Sequence, residues 1–338
     1  MKKLNLSLFA AITLTLVIIT ALLSNANAPQ KDIEKVALLP ELADRINDIA
    51  YIKINQGDDE PVVIEKKQNQ WLISSAYDYP AKIEQIKKTA IALSQCMILA
   101  KKTDNPARYE ALDVQNPDAT NNTKLLTLSN ATGDILAEII IGKPKQNIAG
   151  NPAHPSFYAR KPNAKHALLI EGALYAPTTN NGWYERKLLD ISNNRIKNIK
   201  ISKNNALLEL SKSDVGDTEF QVAQGKTETS SVSLNRVGSF LENLQINSIQ
   251  KADDFASLEQ VYSIIFETFT GLIITVKTAM QEEKFFTQFS FEASSTSATE
   301  DKSPNDDAQN LNASLSNWIY EIPDFKYSML DIDIQTSN

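Results

Sequence analysis

Apolar residues along this chain recur in two periods, and the order of those periods repeats. Short extended runs at residues 49–54, 62–64 and 70–73 predict three strands, with Gln56-Gly57-Asp58-Asp59 as a turn and Trp71 as a core anchor. Ile83, Ile86, Ala90, Leu93 and Met97 follow at spacings of three and four. That stripe predicts an amphipathic helix. Tyr79-Pro80-Ala81 opens it, with Pro80 in the first turn, where a missing N–H is harmless. Four more extended runs lie at residues 125–129, 135–141, 156–160 and 166–170. Asn130-Ala131-Thr132-Gly133 is a hairpin connection between the first two.

The second half retraces this order. Ile199 and Ile201 begin it, and Leu207, Leu208 and Leu210 form the returning strand. Phe220 and Val222 stand in the places of Trp71 and Ile73. Ser233 is the expected N-cap of a helix carrying Leu234, Val237, Leu241 and Leu244. Closing strands are predicted at residues 261–266, 272–276, 284–291 and 318–322. Short sequences return as well: Ile52-Lys53-Ile54 as Ile199-Lys200-Ile201, and Leu189-Asp190-Ile191 as Leu330-Asp331-Ile332. These repeats predict an α+β fold of two tandem copies, at residues 49–192 and 193–338, each a mostly antiparallel sheet with one main amphipathic helix. Residues 293–309, rich in Ser, Asp and Asn, predict a disordered insertion in the second copy.

The N-terminus changes the setting. Lys2 and Lys3 precede an uncharged, mostly apolar segment at residues 4–23, long enough to cross a hydrocarbon core of about 30 Å as a helix. Positive charge before it and none directly after predicts a cytoplasmic N-terminus. Residues 1–28 therefore read as a membrane anchor and 29–48 as a polar connector. The alternative is a cleaved signal segment, at Ala26-Asn27-Ala28 or Ser24-Asn25-Ala26. Pro29 disfavours the first cut, and the apolar run exceeds the usual signal core of about 7–15 residues. Either way the remaining chain is extracytoplasmic.

At 338 residues the chain accommodates two domains of ordinary size. A net charge of −7 without a basic run argues against nucleic acid as a partner. A single cysteine, Cys96, excludes an internal disulfide and reads as a small buried hydrophobe.

No motif names a reaction. His154 lies in a Gly- and Pro-containing loop without ligands at metal spacing, and His166 reads as a strand-end residue. Gly142-Lys143-Pro144-Lys145 lacks phosphate-loop spacing, and neither G-x-S-x-G nor H-E-x-x-H occurs. Asp190 and Asp331, paired by the repeat, read as module-closing residues. A hydrolase would require distant groups such as His154 and Asp190 to converge. No catalytic, cofactor-binding or metal-binding residue is expected. The candidate partner-binding residues are Tyr158, Arg160, Trp183, Tyr184 and Arg186, because clustered aromatics and arginines form binding hot spots. The same residues around Trp183 also read as a packed connector with snorkelling cations.

Several of these motifs together resemble a bacterial envelope family known as domain of unknown function 4340. They are Trp71-Leu72-Ile73, Tyr79-Pro80-Ala81 with its helix, Ile140-Ile141-Gly142, Phe157-Tyr158-Ala159-Arg160, and Trp183 with Arg186-Lys187-Leu188-Leu189. The second copy lacks the Tyr-Pro-Ala and Tyr-x-Arg elements. The resemblance implies a duplicated, extracytoplasmic protein anchored in the inner membrane, acting as a non-enzymatic accessory to an ABC-type transporter of the gliding-motility auxiliary kind. The alternative expectation is a periplasmic module binding a lipid, glycan or peptide in an apolar or aromatic-lined groove between the copies, near Trp183 and Tyr184.

Overall fold

The computed structural model describes residues 36–145, 155–294 and 304–335. The first sheet contains β1 (Val36–Ala37), β2 (Tyr51–Gln56), β3 (Val62–Lys67), β4 (Gln70–Ile73), β5 (Tyr79–Pro80), β6 (Met97–Lys101), β7 (Lys124–Ser129), β8 (Ile135–Lys145), β9 (Ser156–Arg160) and β10 (Leu168–Glu171). Its order is β1-β6-β10-β9-β8-β7-β2-β3-β4-β5. A small ribbon pairs β11 (Lys187–Leu189) with β15 (Leu244–Gln245). The second sheet contains β12 (Ile196–Lys203), β13 (Ala206–Ser211), β14 (Gln221–Gln224), β16 (Ser248–Lys251), β17 (Glu259–Thr268), β18 (Leu272–Gln281), β19 (Lys284–Ala293) and β20 (Trp318–Ile322). Its order is β14-β13-β12-β17-β18-β19-β20-β16. All strand pairs among the described residues are antiparallel.

Read from β4 to β6, the first sheet has the same strand order as the whole second sheet. The register agrees too. Ile52 faces Ile64 and Leu128, and Ile54 faces Val62 and Leu126. Ile199 faces Leu210 and Phe266, and Ile201 faces Leu208 and Ile264. The central strands alternate because one face packs inward while the other meets solvent. All four isoleucines are buried, in a single core that runs through both sheets.

The helices are α1 (Leu42–Arg45), α2 (Ile83–Ser94), α3 (Ser231–Gly238), α4 (Pro304–Leu315) and α5 (Asp324–Tyr327). Helix α2 buries Ile86, Thr89, Ala90 and Leu93, whereas Ile83 and Ile91 are each 45% exposed. It ends before Met97 because that residue enters β6 and pairs with Ala37 and Glu171. Several expectations are corrected here. Tyr79 and Pro80 form edge strand β5 against β4 rather than the first turn of α2. An edge tolerates proline because one side of the strand needs no ladder donor. The N-cap of α3 is Ser230, whose hydroxyl accepts from the Ser233 N–H; Leu241 and Leu244 lie beyond the helix. Val222 pairs with Leu210 as Ile73 pairs with Ile64, but it is 44% exposed where Ile73 is fully buried. Residues 304–309 belong to helix α4 rather than to a disordered insertion.

Among the described residues no helix is long and apolar enough to cross a membrane. The predicted anchor at residues 4–23, His154 and residues 295–303 lie outside the described residues.

Candidate functional site

The two sheets meet at edge strand β5. A 3-10 turn at Ser74–Ala76 is followed by Tyr77 and Asp78, both at positive φ (57° and 58°). This tight reversal turns Tyr79 into the second module. Its ring meets Tyr184 edge-on at 5.4 Å, Trp318 at 4.9 Å and Tyr320 at 6.2 Å. Edge-to-face pairs of this kind are each worth about 0.5–1.5 kcal/mol beyond the area they bury. Their polar ends are satisfied across the junction. The Tyr184 hydroxyl donates to the Asn247 carbonyl at 3.1 Å, and the Trp318 indole N–H donates to the Tyr77 carbonyl at 3.2 Å. The Tyr320 hydroxyl donates to the Leu315 carbonyl at 3.0 Å. Burial pushes the Tyr79 and Tyr184 hydroxyls up to about 12 and raises that of Tyr320 further, so all three are neutral.

A cleft of about 300 Å³ opens at this junction, between the Ser74–Ala76 turn, the 3-10 turn at Asn180–Gly182, and the start of β16. None of its ten lining residues carries a formal charge. Its wall is tied together by a reciprocal pair: the Ser75 hydroxyl donates to Asn180 Oδ1 at 2.6 Å, and Asn180 Nδ2 donates to the Ser75 carbonyl at 3.1 Å. The Thr179 hydroxyl donates to Asn181 Oδ1 at 2.7 Å. Tyr77, on the rim, is 45% exposed.

Of the residues singled out from the sequence, Arg160, Trp183 and Tyr184 are buried, Tyr158 is half-buried and Arg186 is exposed. Trp183 is fully buried beneath the cleft, its indole N–H donating to the Pro177 carbonyl at 2.9 Å. Tyr184 is 5% exposed. Arg186 donates to the Ile246 carbonyl at 3.1 Å and to Asn247 Oδ1 at 3.4 Å. These three act as a packed connector between the modules. The cleft lies beside Tyr184, and Tyr77, Tyr184, Ala76 and Ile249 line it together with amide and hydroxyl groups.

Arg160 is 4% exposed and holds a loop together. Its guanidinium donates to the carbonyls of Val114 (2.7 Å), Pro162 (2.7 Å) and Ala164 (3.1 Å) and to Asn116 Oδ1 (2.6 Å). It also lies 4.6 Å from the Tyr109 ring centroid, and burial lowers its pKa from the ordinary arginine value. Tyr158 is half-buried against the same small cluster of Tyr109, Val114, Ile140 and Ala167. Gly142 belongs to this arrangement: a Cβ there would stand 2.3 Å from the Leu112 carbonyl oxygen. The Ile-Ile-Gly and Tyr-x-Arg motifs thus seat one loop against one sheet.

His166 is exposed just before β10. Asp190 is a surface carboxylate held below its usual range by the Lys187 ammonium at 2.5 Å and the Asn243 N–H at 2.9 Å. Cys96 is fully buried, and burial pushes its thiol up to about 11. Among the described residues no group of three or more His, Cys, Asp and Glu is arranged to hold a metal. A second cavity of about 370 Å³ is apolar, lined by residues including Ile46, Trp71, Ile83 and Ile91. The residues that build the junction, Tyr77, Tyr79, Asn247 and Trp318, carry no sequence signal of their role because they meet only after both modules fold.

The architecture is that of a two-sheet antiparallel α+β protein whose modules share one core and are joined by an aromatic cluster. Residues 71–260, more than half of the chain, match the model of the family described as domain of unknown function (DUF4340), and the chain belongs to that family. The matched region starts in β4 and ends in β17, so it crosses the junction instead of covering one module. No curated protein matches the chain, and no solved structure does.

Proposed function

We propose that this protein is a non-enzymatic accessory protein of the bacterial cell envelope. In this reading residues 4–23 hold it in the inner membrane, and a duplicated pair of β-modules forms a periplasmic platform for a protein partner such as a subunit of an ABC-type transporter. The observation that carries the reading is the construction of the junction. Two sheets that have an eight-strand order in common share one core and are joined by Tyr79, Tyr184, Trp318 and Tyr320. A platform must transmit force or position between two halves, and a shared core supports that. A second role, binding a small ligand between the modules, is supported by the neutral cleft beside Tyr184.

The test is fractionation of cells expressing the full chain, followed by in-cell crosslinking. The full chain is expected to stay with membranes through an alkaline wash and to crosslink to a transporter subunit. Deletion of residues 4–23 is expected to release it. A full chain found wholly in the soluble periplasmic fraction refutes the anchor, and crosslinks that contain no membrane protein refute the accessory role.

A further inference from the structure

Building on the second role above, we infer that the junction cleft binds an uncharged, polyhydroxylated ligand: a neutral saccharide of one or two rings. Three observations on the cleft lead to this class.

The first is charge. In a chain with 22% charged residues, none of the ten residues lining this cleft is charged. An anionic or cationic ligand would leave its hydration shell without gaining a counter-charge, which is unfavourable in a partly enclosed site. The charged groups behind the lining are already paired with it: the Arg186 guanidinium donates to Asn247 Oδ1 at 3.4 Å and the Glu321 carboxylate accepts from the Ser248 hydroxyl at 2.6 Å, while Lys251 lies over the Tyr77 ring at 6.0 Å from its centroid.

The second is the inventory of free donors. Asn181 Oδ1 accepts from Thr179, and Asn247 Oδ1 accepts from Arg186. Each amide oxygen thus has one protein donor and keeps one lone pair. The two NH₂ groups have no protein partner among the described residues, and each offers two N–H donors. An apolar ligand would strip water from these groups without replacing their hydrogen bonds. Ring and hydroxyl oxygens of a sugar accept from them as water does.

The third is shape. About 300 Å³ corresponds to roughly ten waters at about 30 Å³ each and is the low end for small-ligand sites. Tyr77 stays 45% exposed on the rim, fixed there by the left-handed turn and by the Trp318 bond to its carbonyl. The negative face of a tyrosine ring suits the weakly positive C–H groups along one face of a pyranose.

The experiment is ligand-observed saturation-transfer NMR on the full chain in lipid nanodiscs, avoiding sugar-headed detergents. The probes are glucose, cellobiose and N,N′-diacetylchitobiose, with glucuronic acid as a charged analogue and tri-alanine blocked at both ends (N-acetyl, C-amide) as an uncharged peptide. Saturation transfer to at least one neutral sugar is expected, with at least tenfold weaker binding of glucuronic acid. Tyr77→Asn keeps a residue that accepts positive φ and is expected to weaken sugar binding at least tenfold. The Asn181→Ala/Asn247→Ala double variant, at two exposed positions, is expected to do the same with thermal stability unchanged. Transfer to none of the sugars at about 10 mM overturns the inference, as does wild-type binding by both variants. Transfer to tri-alanine alone overturns the saccharide class while leaving ligand binding between the modules in place.

Discussion

Replacing Arg160 tests whether the Tyr-x-Arg motif serves architecture. Arg160→Lys keeps the charge and removes the planar fork. Four acceptors now lie within 3.1 Å of the guanidinium, at the carbonyls of Val114, Pro162 and Ala164 and at Asn116 Oδ1. A lysine ammonium has three donors diverging from one point and cannot span this set. The contact to Val114 is buried, and hydrogen bonds to charged groups are worth about 1.5–3 kcal/mol. The other three acceptors are only partly buried and regain water, so together they add about 1 kcal/mol. The expected loss is about 3 kcal/mol. With about 2.1 cal/mol/K of unfolding entropy per residue, that lowers Tm by roughly 5 °C if the body unfolds as a unit. Guanidinium titration followed by tryptophan fluorescence measures the first quantity. Hydrogen exchange should show faster opening at residues 106–116, where the Tyr109 loop loses its clamp. A loss below about 0.5 kcal/mol, or unchanged exchange in that loop, would refute the reasoning.

Tyr79→Ala removes three aromatic contacts at the junction and is expected to cost about 3–5 kcal/mol, with unfolding split into two transitions; a variant that keeps one wild-type-like transition in scanning calorimetry counts against Tyr79 as the residue that couples the two sheets. Ile54→Ala and Ile201→Ala occupy equivalent registers and should each cost about 2–5 kcal/mol and add within about 0.5 kcal/mol in the double variant, as denaturant titration will report; strong non-additivity argues against independent sites. Stability should fall as pH rises from about 9, because the buried Cys96, Tyr79 and Tyr184 keep their protons up to about 11, 12 and 12 while the unfolded chain loses them earlier. Cys96→Ala is expected to remove the decline between about pH 9 and 10, below the range where Tyr79 and Tyr184 contribute, and a pH-independent midpoint for the parent protein between about pH 9 and 11 would contradict the burial argument.

Much of the fold is legible in the chain, for identifiable reasons. Central strands such as β2 and β12 alternate cleanly because each has one wet face and one dry face, so Ile52, Ile54, Ile199 and Ile201 announce themselves. The misreadings fall where two structures share one sequence signature. Pro80 fits a helix's first turn and a sheet edge equally, since both positions lack a needed N–H donor. Met97 continues the three- and four-residue spacing of α2, yet the chain leaves the helix because β6 has partners on both sides. Helix α4 has only two buried residues, Ala308 and Leu315, so its periodicity is too sparse to read.

What docks helix α4 is tertiary. Asn312 Oδ1 accepts from the Phe291 N–H at 3.0 Å, while its amide donates to the Phe291 carbonyl at 2.6 Å. One polar side chain thereby adds backbone pairing with β19 to the short apolar stripe of Ala308, Leu311 and Leu315. The junction is hidden for the same reason. Tyr79 and Trp318 look like ordinary strand residues in their own modules, and only the closure of the two sheets brings their rings to 4.9 Å. The candidate cleft inherits this property. Its polar lining comes from Ser75, from the Asn180-Asn181 turn and from Asn247, three segments with no local motif in common. A site made where two sheets meet belongs to neither sheet, so the strand pattern that reveals the fold gives no account of the residues at the seam.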